Sequence, residues 1–261
     1  MPRVDIATVI RAGRQQTGTS IRELAAMAGI SYSYLSQVEA GKSNPTTRMA
    51  ANLLSLLGYT LTAQRATQTT ASIAAARKAL NPACGGRWCD EAQQWQERYQ
   101  KAGWVDAAGK AKPAKGVDLL LRVGRTTPVN ARTGAVRYTP DNPQDTWLDI
   151  VERIDKAGVD YALTGGPAAN QMMSIGGNVD PVVYVENLEV AARVACLTEN
   201  PAGRTTLLPF DGVCEVGRAI YPQGIYADNV WMADIIQIVI DCAGNPDRGL
   251  DQAMFLTGGR I

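Results

Sequence analysis

Residues 19–58, TSIRELAAMAGISYSYLSQVEAGKSNPTTRMAANLLSLLG, decide the fold of the front of this chain. Ser20 is a strong N-cap, and Glu23 three residues later completes a capping box. Leu24 and Ala28 repeat at helical spacing until Gly29 stops the helix in the left-handed conformation that a tight turn needs. Ser31 caps the next helix, whose Leu35 and Val38 face inward while Tyr32, Ser33, Ser36 and Gln37 point outward. Gly41 ends that helix. Pro45 and Thr46 then open a third one with Met49, Leu53, Leu54 and Leu57 as its buried stripe. The spacing predicts helix, tight turn, helix, glycine stop and helix.

The outward set on 31–40 is short and polar or amphipathic, uncharged apart from Glu39. It suits insertion into the major groove of double-stranded DNA, where hydroxyls and amides bond base edges and a tyrosine packs on a thymine methyl. Tyr32, Ser33, Ser36 and Gln37 are therefore the expected base readers, with Arg22, Lys42, Ser43 and Arg48 as phosphate contacts. On these residues the segment 6–61 resembles the helix-turn-helix family of phage repressors and XRE-type bacterial regulators. The resemblance rests on Arg11, Glu23-Leu24-Ala25, Ala28-Gly29-Ile30-Ser31, Leu35-Ser36, Val38-Glu39, Gly41-Lys42, Pro45 and Leu57-Gly58. Ile21 departs from it, standing where that family often has a glutamine that bonds phosphate. The alternative from the residues alone is a helical bundle that dimerises or docks a protein.

Composition bounds the remainder. At 261 residues the chain is too long for one such module. No apolar run approaches a membrane span, and the first residues read as an amphipathic helix rather than a signal peptide, so a cytoplasmic protein without membrane contact is expected. Five cysteines at irregular spacing argue against a disulfide framework. There is no histidine, which removes Ser-His-Asp and Cys-His catalysis and imidazole metal ligands together. Cys84 and Cys89 in CGGRWC have no histidine nearby and the other three cysteines lie over a hundred residues away, so neither a metal nor a cofactor is expected. The net charge is only +1, so DNA binding must rest on a local patch of Arg11, Arg14, Arg22, Lys42 and Arg48, doubled in a homodimer on an inverted repeat.

A multidomain chain is expected: an all-α helix-turn-helix domain over 1–62, a helical linker over 63–143 and an α/β (α+β) domain over 144–261. In the middle segment, residues 88–104 have a helical pattern with Trp88, Trp95 and Tyr99 near one face. A lysine-bearing loop over 105–116 and the apolar run VDLLLRV follow. Helix, basic loop and strand would make a winged-helix-like element touching DNA; the alternative is an exposed connecting loop. The stretch TTPVNARTGAVRYTPDNPQD reads as a short hairpin. Beyond it, helices at TWLDIVERIDKAG, PAANQMMSIGG and LEVAARVACLTEN alternate with strands at DYALTGG, PVVYVEN and TTLLPF.

Strand, Gly165-Gly166, helix and Asp180 on the next strand invite a chemical test. Nucleotidyltransferase folds hold triphosphate at such a helix start, and a following strand offers two alternating carboxylates to Mg²⁺. Here the second position is Val182, and Glu186 lies six residues on, about 20 Å away if extended. A degenerate nucleotidyltransferase-like shape without its chemistry is the reading, so no catalytic residue is assigned and no enzyme is expected. A DNA-targeted nucleotidyltransferase is the alternative. Together YALTGGPAA, DPVVYVEN, LLPFDG, GIYADNVWMADIIQIVIDC and GNPDRGLDQA resemble the C-terminal domain of the AbiEi family, antitoxins of type IV toxin–antitoxin systems. The resemblance implies an autorepressing regulator that counteracts a nucleotidyltransferase-like toxin. A phage-defence or mobile-element regulator is equally compatible.

Overall fold

A computed structural model describes residues 5–62, 70–84, 86–174, 180–214, 216–221, 224–245 and 249–258. The chain divides into two compact units, residues 1–65 and 66–261. The Ala- and Thr-rich stretch 63–69 and the segment 175–179 lie outside the described residues.

The first unit is all helical: α1 (Ile6–Gln16), α2 (Ile21–Ala28), α3 (Tyr32–Glu39) and α4 (Thr47–Leu56). Each helix starts on a side-chain cap that satisfies a first-turn N–H, from Asp5, Ser20, Ser31 and Thr46 in turn. Ser20 and Glu23 form the reciprocal capping box, and Gly29 takes φ +67° between α2 and α3. Ile10, Leu24, Leu35, Val38 and Leu53 are fully buried in one core shared by all four helices. At about 2–5 kcal/mol for truncating such a side chain, these few residues hold the bundle.

The second unit is a seven-stranded mixed sheet with helices. Its helices are α5 (Ala71–Leu80), α6 (Asp90–Lys101), α7 (Gly116–Thr126), α8 (Trp147–Lys156), α9 (Gly165–Met172), α10 (Leu188–Val194), α11 (Ile235–Ala243) and α12 (Gly249–Leu256). The strands are β1 (Val136–Pro140), β2 (Tyr161–Thr164), β3 (Val182–Val185), β4 (Leu197–Glu199), β5 (Thr205–Pro209), β6 (Arg218–Tyr221) and β7 (Val230–Ala233). They lie in the order β4-β1-β5-β3-β2-β7-β6. β3 runs parallel to β5 and antiparallel to β2, with Ala162 opposite Tyr184 and Thr164 opposite Val182. Every residue of β2 and β3 is buried, so both faces of the sheet centre are covered.

Three expectations fail here. The run VDLLLRV is helix α7, not a strand: Leu119, Leu120 and Val123 form one buried helical stripe, so no winged-helix-like element follows the lysine loop. Residues 105–116 fold back on α5 instead, through Val105 pairing Ala111 and the Ala111 N–H donating to Ala79. The expected hairpin is a single strand, β1, whose partners β4 and β5 come some sixty residues later in the chain. And LEVAARVACLTEN is helical only to Val194, because Cys196 takes φ +55° and turns the chain into β4. Residues 71–140 thus contribute α5–α7 and β1 to the same core as the rest of the unit.

That core is crossed by a polar chain. Arg132 donates Nη1 to Asp241 Oδ1 at 2.5 Å and to the Tyr184 hydroxyl at 2.8 Å, and Nε to the Thr127 carbonyl at 3.0 Å. Thr164 Oγ1 donates to Asp241 Oδ2 at 2.7 Å, and Gln237 Nε2 donates to both Asp241 and Tyr184. Arg77 continues the chain through Gln237 and a two-pronged pair with Asp234. Burial alone would lower the Arg132 pKa, but Asp241 reverses this and leaves it raised. Burial holds the Tyr184 phenol well above its ordinary value, with Asp241 adding to it. Both groups therefore keep fixed protonation states. Removing one partner strands a buried charge, so Asp241→Ala is expected to cost about 3–5 kcal/mol in urea unfolding of the chain. A loss below about 1 kcal/mol, the range of an exposed pair, would show that Asp241 does not hold the Arg132 charge in place.

Candidate nucleic-acid interface

The site is built on α3. Leu35 and Val38 anchor one side of this helix in the bundle core, which turns the opposite side outward. Tyr32, Ser33 and Gln37 are exposed there, and Ser36 is half-buried at the edge of the same face. The Ser31 hydroxyl accepts from the Tyr34 N–H at 3.1 Å and fixes the start of α3. The Gln37 carbonyl closes its end by accepting from the N–H groups of Lys42 and Ser43, at 2.9 and 3.2 Å. This places Lys42 and Ser43 one turn beyond the reading positions, Lys42 exposed and Ser43 half-buried. Arg22, exposed near the start of α2, lies with its guanidinium 5.8 Å from the Tyr32 ring centre, so it flanks α3 at the other end. Arg48 is exposed in the first turn of α4. The eight residues expected at DNA thus lie on the segment from α2 to α4, six of them exposed.

Two members of the expected basic patch are used elsewhere. Arg14 forms a two-pronged ion pair with Glu39, Nε to Oε1 at 2.7 Å and Nη2 to Oε2 at 2.9 Å, and a third bond to the Thr19 carbonyl. The Arg11 guanidinium donates to the Glu39 carbonyl. Glu39 is only 5% exposed, so it is not part of the outward face as the sequence suggested. Its carboxylate raises the Arg14 pKa through the hydrogen bond, more than burial lowers it. The pair bolts the end of α3 to α1. Its signature was present as two arginines three apart on α1 and one acid at the end of the reading helix. Ile21 packs half-buried against the bundle core, so a packing contact stands at the position where a phosphate-bonding glutamine was considered.

In the second unit, Gly165 and Gly166 open α9 directly after β2, as the nucleotide-site test required. Gly165 takes φ +64° and its missing Cβ would stand 3.5 Å from Val182, so apolar packing occupies the place of a second carboxylate. Asp180 is paired with Arg204 at 2.6 Å. Two of the five cysteines are held unreactive: Cys214 is buried and its thiol is pushed up to about 12 by burial, and Cys242 is likewise raised. No cluster of acidic or cysteine side chains that could hold a metal occurs among the described residues. No helix among them is long and apolar enough to cross a membrane.

Residues 10–64 match the family described as helix-turn-helix. This covers α2, α3 and α4 and most of α1, and it makes the first unit a segment of the DNA-binding type. No curated protein matches the chain. The division of labour among the arginines is testable. Arg14→Ala should speed amide exchange across α1–α3, by a loss between the about 1 kcal/mol of an exposed pair and the about 3–5 kcal/mol of a buried one. The salt dependence of DNA binding should keep its slope. A slope reduced by about one would instead place Arg14 on a phosphate.

Proposed function

We propose that this chain is a sequence-specific transcriptional regulator that binds operator DNA as a homodimer, with α3 in the major groove. The observation that carries it is the split of α3, with Leu35 and Val38 fully buried behind Tyr32, Ser33 and Gln37 in solvent. Tyr32, Ser33, Ser36 and Gln37 read bases in this account, and Arg22, Lys42, Ser43 and Arg48 grip the backbone. Dimerisation is inferred from charge. Residues 5–62 carry five basic side chains against three acidic ones, and two of the five are bonded to Glu39. The three exposed cations of residues 5–62, Arg22, Lys42 and Arg48, neutralise few phosphates, and a second copy doubles the number and supplies the symmetry of an inverted repeat.

The finer reading is an autorepressing antitoxin of a type IV system, supported by the AbiEi-like segments of the second unit. It includes no catalytic step, since the position two residues after Asp180 is Val182 and Asp180 already has Arg204 as its counter-ion. Protection from an adjacent nucleotidyltransferase-like toxin on co-expression tests that role separately from DNA binding. A cell that stays poisoned while the operator stays repressed leaves a regulator without antitoxin activity.

Footprinting on the chain's own promoter, followed by two variants, tests the DNA-binding reading. Gln37→Ala is expected to weaken operator binding by about 1–3 kcal/mol and leave random duplex nearly unaffected. Lys42→Ala is expected to weaken all duplexes alike and to flatten the plot of log affinity against log salt by about one unit per protomer. Equal losses of Gln37→Ala on operator and random DNA, or an unchanged slope for Lys42→Ala, would remove those residues from the roles assigned.

A further inference from the structure

The second unit contains a cleft of 470 Å³ that the DNA-binding reading does not use. It lies at the end of the sheet where β1 finishes and β3 and β5 begin, between the first turn of α8 and the side of α9. Its volume is that of a small-molecule site. Asn170 of α9 lines it, is 5% exposed, and its Oδ1 accepts no hydrogen bond among the described residues. A buried amide oxygen without a donor is rare and costly, so it points to a group that arrives from outside.

The walls of the cleft are fixed beforehand. Trp147 is the first residue of α8, held by the capping box of Thr146 and Asp149. Tyr226, half exposed, lines the cleft from a loop that Gln171 clamps: its Oε1 accepts from the Tyr226 and Ala227 N–H groups at 2.7 and 3.2 Å, and its Nε2 donates to the Ala227 carbonyl at 2.9 Å. Gly224 admits this close approach, since a Cβ there would meet the Gln171 amide at 2.7 Å. Adjacent residues of α9 therefore do two jobs, Gln171 holding the Tyr226 loop and Asn170 facing the space beside it.

The charges of the lining are already matched. Asp180 pairs with Arg204, and Asp145 pairs with Arg153 behind the cleft. An anionic or cationic ligand would find each charge of the lining already opposed by a partner. What fits is a neutral molecule with a flat aromatic face for Trp147 and Tyr226 and a hydrogen-bonding edge for the Asn170 carboxamide. A nucleobase has both, because a carboxamide pairs with the amino or imino edge of a base. We propose that this cleft binds a neutral nucleoside through its base, with Asn170 as the recognising residue and Trp147 and Tyr226 as the stacking walls. The site shares no residue with the helix-turn-helix and is titrated without DNA, so either reading can fail alone.

The test is calorimetric titration of the full chain with adenosine, guanosine, cytidine and uridine, and with ATP as the charged comparator. One nucleoside should bind saturably at one site per chain, and the triphosphate more weakly than adenosine if adenosine is the ligand. Asn170→Ala should weaken binding at least tenfold, and Tyr226→Ala, at an exposed position that leaves the fold intact, severalfold. Melting curves of both variants check folding; should Asn170→Ala fail to fold, Asn170→Asp and Tyr226→Ala carry the test. No saturable binding of any of the four nucleosides overturns the proposal. So does affinity unchanged in the variants, or ATP binding more tightly than every neutral nucleoside.

Discussion

The buried pair of Arg132 and Asp241 is the constraint on which the second unit depends. Neither side chain reaches water, and each is bonded by groups from different parts of the chain. Tyr184 comes from β3, Thr164 from the end of β2, Gln237 from α11 and the Thr127 carbonyl from the end of α7. Arg77 and Asp234 extend the network to α5 and the start of α11. An apolar core tolerates sliding by a methyl group, whereas charges in a low dielectric do not. The network therefore fixes the register of β2 against β3 and the position of α11 across them. One Arg132 Nη2 stays without a partner among the described residues, a residual cost within an otherwise bonded set. Gly124 supplies the complementary steric condition: a Cβ there would collide with the Ile240 carbonyl, so α7 and α11 touch backbone to backbone.

The same device recurs at small scale in the first unit. Glu39 gathers Arg11 and Arg14, and the end of α3 is thereby joined to α1. A reading helix must hold its side chains in place against the bases, so the rigidity of its rear matters as much as the chemistry of its front. Two arginines that look available for phosphate in the sequence are consumed by this rigidity. Charge counted along a chain overstates charge presented to a ligand.

What was legible in the sequence followed local rules. Ser20 with Glu23, Gly29, Ser31 and Thr46 are caps and stops whose effect is felt within four residues, and all of them act as read. α8 and the strands β2, β3 and β5 also declare themselves through short-range patterns. The failures are non-local. VDLLLRV carries strand-like apolar density, and only packing against α11 shows why Leu119, Leu120 and Val123 belong on a helix. β1 lacks a neighbouring strand in sequence, so its pairing with β4 and β5 could not be inferred from turn residues. Glu39 looked like part of a polar face because its partners are 25 and 28 residues away. Asn170 gave no signal at all, since an asparagine in a helix is conspicuous only once its lack of a partner is seen.

Taken together, the ion pairs separate two kinds of surface. Where charges are matched in pairs, as at Asp180 with Arg204 and Arg14 with Glu39, the protein has spent its electrostatics internally and offers a ligand little long-range attraction. Arg22, Lys42 and Arg48 stand outside this pattern, exposed on the segment that carries α3. With three such cations on that segment, the proposed complex draws a larger share of its operator affinity from Tyr32, Ser33, Ser36 and Gln37. A regulator so built gains discrimination at the expense of affinity for random DNA, because the term it lacks is the one that all sequences share. In that proposed role a near-neutral chain suits a DNA reader, because Arg22, Lys42 and Arg48 flank the helix that does the reading.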